Sequence, residues 1–235
     1  MMGNMFNKKV LGLGAALMGM VFGATAANAA AQLVLFDGTV SVTIIDNGIL
    51  DDDDTLGIID YDGSFGDWDV KMTGIGATKP AIGSAAMGEL HFNTFEINSD
   101  GAADLWAYFS DHDFETADGA AVWLDGGFGA LTGGVVDMDI CFNADNTLTS
   151  SALTCNEILA SSPGMGPGAV SWSDGGGSLG TGDVFAMAIA LHIRHEDGGT
   201  TSVDAGIEVP EPGILGLFGF GLLGMGLAAR RRKVA

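Results

Sequence analysis

Four consecutive aspartates, Asp51 to Asp54, form the densest run of potential ligands in the chain. With Asp46, Asn47, Asp60 and Asp62 close by, Asp46, Asp51, Asp53, Asp60 and Asp62 are candidate oxygen donors for a hard cation such as Ca²⁺. The spacing is not that of an EF-hand loop, because no glycine sits at the sharp-turn position and no glutamate closes it. The glycine-aspartate nonapeptide repeat of calcium β-rolls is missing as well. Adjacent aspartates cannot all face one ion, so two or three would bind. The competing reading is a solvated loop of mutually repelling carboxylates.

Asp111-His112-Asp113, with Glu115 and Asp118 nearby, is a second polar cluster. Carboxylates beside an imidazole suit a transition metal or acid–base work. On a continuing strand His112 would point away from both neighbours, and a turn after Leu105–Ser110 is the plainer expectation. His192 and His195 are three apart, which on a strand puts them on opposite faces and makes a zinc pair of them untenable. Trp106 and Tyr108 share one face of the strand that carries Leu105, Ala107 and Phe109 on the other. They are candidates for stacking on sugar rings, and equally for the core. The chain has no G-x-S-x-G elbow, no H-E-x-x-H and no phosphate-cradling loop, and nothing selects a glycosidase-type pair from its thirty acids.

The elements that must position these residues read as β. Val136, Met138, Ile140 and Phe142 alternate with Asp137, Asp139 and Cys141, and Phe185, Met187, Ile189, Leu191 and Ile193 alternate with Ala186, Ala188, Ala190, His192 and Arg194. Period two with one apolar set is the mark of a strand with one buried face. Shorter candidates are 33–36, 40–44, 58–61, 68–72, 90–97, 105–110 and 201–207. Turns are expected at Asp46-Asn47-Gly48, Asp62-Gly63, Asp125-Gly126-Gly127 and Asp197-Gly198-Gly199. Residues 161–183, with Pro163, Pro167 and Gly175 to Gly177, read as a long loop within one domain. The expected fold is all-β, an antiparallel sandwich of jelly-roll-like type.

Charge is partitioned along the chain. All thirty acids lie between Asp37 and Glu211, whereas six of the nine cations lie at the two ends and Lys71, Lys79 and Arg194 are alone between them. Such a field repels phosphate backbones and anionic lipid, which excludes nucleic-acid binding as a function. Residues 1–29 read as a signal peptide: Lys8 and Lys9 precede an apolar run from Val10 to Ala24, and Ala27-Asn28-Ala29 offers signal peptidase an A-x-A site. A first transmembrane helix is the alternative. Cys141 and Cys155 would then reach an oxidising compartment, where a disulfide between them is the expectation and two free thiols the alternative. The acidic sandwich spans residues 30–207.

The end of the chain is of another kind. Val209-Pro210-Glu211-Pro212 is followed by an apolar, glycine-rich run from Gly213 to Ala229 and then Arg230-Arg231-Arg232-Lys233. At 1.5 Å per residue the run makes a helix of about 25 Å, at the lower edge of what spans a bilayer. The basic cluster would stay cytoplasmic. In its three parts and their order, this segment (208–235) closely resembles the PEP-CTERM sorting signal. The resemblance implies an exosortase that recognises Pro210, Glu211 and Pro212, with Arg230, Arg231 and Arg232 as the stop, in an exported protein of a Gram-negative, exopolysaccharide-producing bacterium. The body, through "SVTIIDNG" (41–48) and "GSFGDWDVKMTG" (63–74), looks like one group of such proteins. The functional expectation is a cell-surface or exopolysaccharide-matrix protein, anchored in the inner membrane in transit, with a structural or interaction role and no catalysis. A Ca²⁺-assisted carbohydrate-binding module is the first alternative, and an extracellular hydrolase the second.

Overall fold

Alternating segments become strands because a two-residue period puts every apolar side chain on one side of an extended chain, where a second sheet can cover it. The computed structural model describes residues 31–86, 88–115, 121–131, 134–151, 154–162, 164–166, 168, 170–178 and 184–209, with the backbone alone for 73–75, 94, 121–131 and 170–178. The leader, with Ala27 and Ala29, and the segment 210–235 lie outside these residues. Among the described residues no helix is long and apolar enough to cross a membrane.

The strands are β1 (Gln32–Phe36), β2 (Ser41–Ile45), β3 (Ile58–Phe65), β4 (Trp68–Ala77), β5 (Glu89–Ser99), β6 (Ala103–Glu115), β7 (Ala121–Leu131), β8 (Gly134–Asn143), β9 (Glu157–Ser161), β10 (Val170–Ser178), β11 (Val184–His195) and β12 (Gly199–Glu208). They form two six-stranded sheets, ordered β2-β1-β6-β11-β8-β9 and β10-β7-β12-β5-β4-β3, and all pairings are antiparallel. The last eight strands pair as a long ladder folded on itself: β5 with β12, β6 with β11, β7 with β10 and β8 with β9. Rolling that ladder brings β12 beside β7 and β11 beside β8. This is the connectivity of a jelly roll. The first four strands extend it, β1 and β2 beyond β6, β4 and β3 beyond β5.

The core lies between the sheets. Leu105, Ala107 and Phe109 of β6 and Phe185, Met187, Ile189, Leu191 and Ile193 of β11 face Phe92, Phe95 and Ile97 of β5 and Val203 and Ile207 of β12. Each fully buried side chain of this size contributes about 1.5–3 kcal/mol of transfer free energy.

Four sequence expectations are corrected. Asp125-Gly126-Gly127 is not a turn but the middle of β7, and the loop expected at 161–183 contains β10 and the end of β9. Asp62-Gly63 lies inside β3. The turn expected after Ser110 is absent, since β6 continues to Glu115. Glycines carry no side chain and so erase the alternation by which a strand is read, yet their backbones pair normally with a neighbouring strand. β10 has such a neighbour along one edge in β7.

Candidate functional site

The aspartate loop between β2 and β3 is held together by its own carboxylates. Asp51 accepts from the backbone N–H of Asn47 (2.7 Å) through Oδ2, and from those of Asp60 (2.9 Å) and Asp53 (3.2 Å) through Oδ1. Asp53 accepts from the N–H of Thr55 at 2.6 Å. Asp46, almost buried, accepts from the N–H of Gly57 at 2.9 Å and from the side-chain amide of Asn47 at 2.8 Å. Burial pushes its carboxyl above the ordinary value, with the charges of Asp51 and Asp111 adding to the effect. Gly57 is at φ 83°, and a Cβ there would come within 2.7 Å of the carbonyl oxygens of Thr78 and Lys79. The loop thus docks edge-on against the β4–β5 connection through a residue that must be glycine. Asp62 stands in β3 opposite Lys71 of β4. Asp46, Asp51 and Asp53 are used in turn formation, and no three carboxylates of the candidate set converge within ligand distance of one another. A convergent trio does exist among the described residues, on β5 and β12.

Asp111-His112-Asp113 is built quite differently from its sequence appearance. Two residues of β6, His112 and Asp113, stand against Ala186 alone of β11, a bulge in which Asp113 adopts φ 61°. The kink brings the His112 ring nitrogen Nδ1 to 2.8 Å from the Asp113 carboxylate. Asp111 points inward and is fully buried, with Lys79 Nζ at 2.8 Å, the Thr78 hydroxyl donating at 2.9 Å and the N–H of His112 donating at 2.7 Å. Asp113 exchanges two hydrogen bonds with Asn146, donating its N–H at 2.8 Å and accepting from the amide at 2.7 Å. Burial opposes ionisation of Asp113, but the Asn146 bond and His112 outweigh it and hold the carboxyl below its usual value.

Trp106 and Tyr108 lie on the outer face of their sheet, as their alternation with core residues requires. Tyr108 is buried there. The indole of Trp106 is stacked on His192 (centroids 4.4 Å apart, 9° between planes) and flanked on β1 by Phe36 at 5.8 Å. One face of the indole is therefore already taken by an aromatic neighbour within the fold. Around them His192 Nε2 sits 3.0 Å from Asp104, and Arg194 donates to Asp137 at 2.6 Å. His192 and His195 do lie on opposite faces of β11: His195 is inward, against Trp68.

An open cleft of about 480 Å³ lies at the other end of β6 from Asp111, between the β3–β4 and β5–β6 turns. Ser64, Asp67, Asp69, Asn98, Ser99 and Asp100 supply its polar lining. Sequence reasoning missed it because turns distant in sequence compose it. Behind it, Ser99 donates its hydroxyl to the carbonyl of Gly101 (3.0 Å), so His195 Nδ1 must be the donor in the 2.6 Å contact with Ser99. Nε2 then accepts from the Thr201 hydroxyl at 2.8 Å. Burial lowers the His195 pKa below 6.5. A histidine neutral in the folded state binds fewer protons than in the unfolded one, so its contribution is complete above pH 6.5 and is lost as pH falls through the folded value. Denaturant titrations should show wild-type stability falling on going from pH 7 to 5, by at most about 1.4 kcal/mol per pH unit from this group. His195→Gln should remove that component. An unchanged slope in the variant would exclude the assignment.

Cys141 and Cys155 form a disulfide, with Cα atoms 5.2 Å apart.

A search of curated proteins finds no match. Among solved structures, the chain is similar to the carbohydrate-binding module TmCBM61, solved with β-1,4-galactotriose (12% identity, 63% of this chain and 92% of that one, TM-score 0.33). It is also similar to carbohydrate-binding modules of the β-sandwich superfamily (11% identity, 76% and 72% covered, TM-score 0.30). A third likeness is to infectious bursal disease virus Gx strain (13% identity, 82% and 53% covered, TM-score 0.36). At this level of likeness nothing about ligand or activity follows for this chain. The last strand ends at Glu208, and Val209, buried, donates its N–H to Gly88 at 2.8 Å. From that point the chain changes character, and residues 208–233 match the family model of the PEP-CTERM protein-sorting motif: this chain carries the signal borne by exosortase substrates.

Proposed function

We propose that the acidic jelly roll is exported, is processed by an exosortase at its C-terminal segment, and serves at the cell surface or in the exopolysaccharide matrix as a structural or interaction protein without catalysis. The observation that carries this reading is the junction. The sorting motif begins at the residue where β12 ends, so a cut at Pro210 to Pro212 leaves every described strand in place. The non-catalytic part draws support from how the polar groups are used. Asp111, His195 and Asp51 each have hydrogen-bonding partners within the fold. The test is mass spectrometry of the exported protein in a host with and without its exosortase. A mature C-terminus upstream of Gly213, seen when the exosortase is present and not in its absence, is the expected result. An intact tail through Arg230 to Ala235 on surface protein would overturn it in favour of a permanent anchor.

A second reading, carbohydrate binding, is favoured by the cleft at Asn98–Ala102 rather than by Asp46 to Asp62. Carboxylates, an amide and hydroxyls in one open groove can pair with sugar hydroxyls. Affinity electrophoresis in gels containing the host's exopolysaccharide would show retardation that Asp100→Asn and Asp69→Asn reduce. Equal mobility with and without polysaccharide would dismiss this reading.

A further inference from the structure

Glu89 and His91 occupy alternate positions of β5, and Glu208 of β12 is the register partner of Glu89. Leu90, Phe92 and Ile207 point into the core, so the three polar residues share the outer face of the sheet. One ligand atom from each, a carboxylate oxygen or an imidazole nitrogen, lies within 4.8 Å of the other two. His91 is held in place by a feature of the strand opposite. Its register partner is Gly206, and a Cβ there would come within 3.2 Å of Nε2 and 3.3 Å of Cδ2. The imidazole therefore lies across the space that a side chain would occupy. Its Nε2 is shielded from solvent and has no hydrogen-bond partner, although a Glu89 oxygen is 3.1 Å away in a poorly aligned contact. A buried nitrogen facing two carboxylates is unfavourable unless a proton or a cation stands between them.

We propose that Glu89, His91 and Glu208 form a binding site for a divalent transition cation such as Zn²⁺. Two carboxylates balance the charge of the ion, and one neutral imidazole selects a borderline metal over Ca²⁺ or Mg²⁺, which take oxygen shells of six or more. Three protein ligands leave at least one position for water. Glu208 is exposed, so a rotamer change brings its carboxylate onto the ion. The ion ties the end of β12 to the start of β5, at the first residue of the sorting motif. It thereby clamps the end of the strand from which the sorting motif leaves the domain. This inference does not depend on the function proposed above.

The test is calorimetric titration of the full chain with ZnCl₂, followed by thermal melts. Wild type should bind one equivalent saturably and melt at higher temperature when loaded. Glu208→Gln and His91→Ala should each weaken binding by about 10- to 100-fold or more, the range that even outer-shell partners of a metal command. Glu196→Gln, which removes an exposed carboxylate elsewhere, should bind as wild type does. None of the three changes is in the hydrophobic core, and the metal-free melts verify that the variants fold. Absence of a saturable one-to-one phase in wild type, or equal affinity in Glu208→Gln and His91→Ala, would overturn the site and leave diffuse attraction to an acidic surface.

Discussion

Replacing Lys79 by alanine is expected to destabilise the protein by about 3–5 kcal/mol, the cost of breaking a buried ion pair by removing one partner. The body has three cations, and this one is buried, 4% exposed at its side chain, against a fully buried Asp111. Lys79 Nζ also donates to the carbonyl of His112 and lies 4.4 Å above the ring of Phe114. Removing the lysine leaves Asp111 with the Thr78 hydroxyl and the His112 N–H, two neutral donors for a charge cut off from water. The loss exceeds that of an exposed pair because solvent cannot replace the missing partner.

The size of the body makes this measurable. At about 2–4 °C per kcal/mol, the melting temperature should drop by roughly 6–20 °C in scanning calorimetry. Lys79→Met combined with Asp111→Leu should recover most of the loss, since a buried pair exchanged for apolar groups is often neutral or stabilising. The double-mutant cycle separates a lost attraction from an abandoned charge. A Lys79→Ala variant within about 1 kcal/mol of wild type would mean that water reaches Asp111. Because Gly57 packs on the Thr78 and Lys79 carbonyls, the aspartate loop should loosen in the same variant, visible as faster amide exchange at Gly57 and Asp60.

How much of this could be read beforehand depends on whether the information was local. β8 and β11 were legible because Val136 to Phe142 and Phe185 to Ile193 alternate without interruption, and each buries the predicted face. β7 and β10 were not, because Gly126, Gly127 and Gly175 to Gly177 leave no alternating pattern. The jelly roll itself rests on pairings such as Glu89 with Glu208, which no periodicity encodes. The same holds for the polar groups. Cys141 and Cys155 could be paired from the sequence because no other cysteine competes, but the partner of Asp111 could not, since Lys79 arrives from the β4–β5 connection. Glu89-x-His91 carried less than half a signal: the strand expected at 90–97 held His91, and only the earlier start of β5 puts Glu89 on the same face. The third ligand waited on the register of β12.

Reduction of the Cys141–Cys155 disulfide, or its replacement by Cys141→Ser with Cys155→Ser, is expected to lower stability by about 3 kcal/mol, the chain-entropy value for a loop of this length. Cys141 is on the outer face of β8, opposite Ala188 of β11, and the bond returns the chain to that face after the turn beyond Asn143. Within the loop, Asn143 donates its amide to the carbonyl of Thr147 (2.7 Å) and the hydroxyl of Thr149 (3.0 Å), and accepts from the N–H of Asn156 at 2.7 Å. The carbonyl of Thr149 accepts from the Ser110 hydroxyl (3.1 Å) and the Gln32 amide (3.4 Å), while Asn146 clasps Asp113. The loop is thus a lid sealed onto β1, β6 and β8 by hydrogen bonds, those between neutral groups each worth about 1 kcal/mol net. Without the disulfide, those bonds alone must offset the entropy of the freed segment. A fall in melting temperature of roughly 6–12 °C on reduction is the predicted outcome, with an equal fall in the double serine variant. If reduction moves the transition by less than about 2 °C, the hydrogen-bonded seal, not the covalent link, holds the lid. In that case Asn143→Ala should produce the larger loss, because it removes three of the bonds at once.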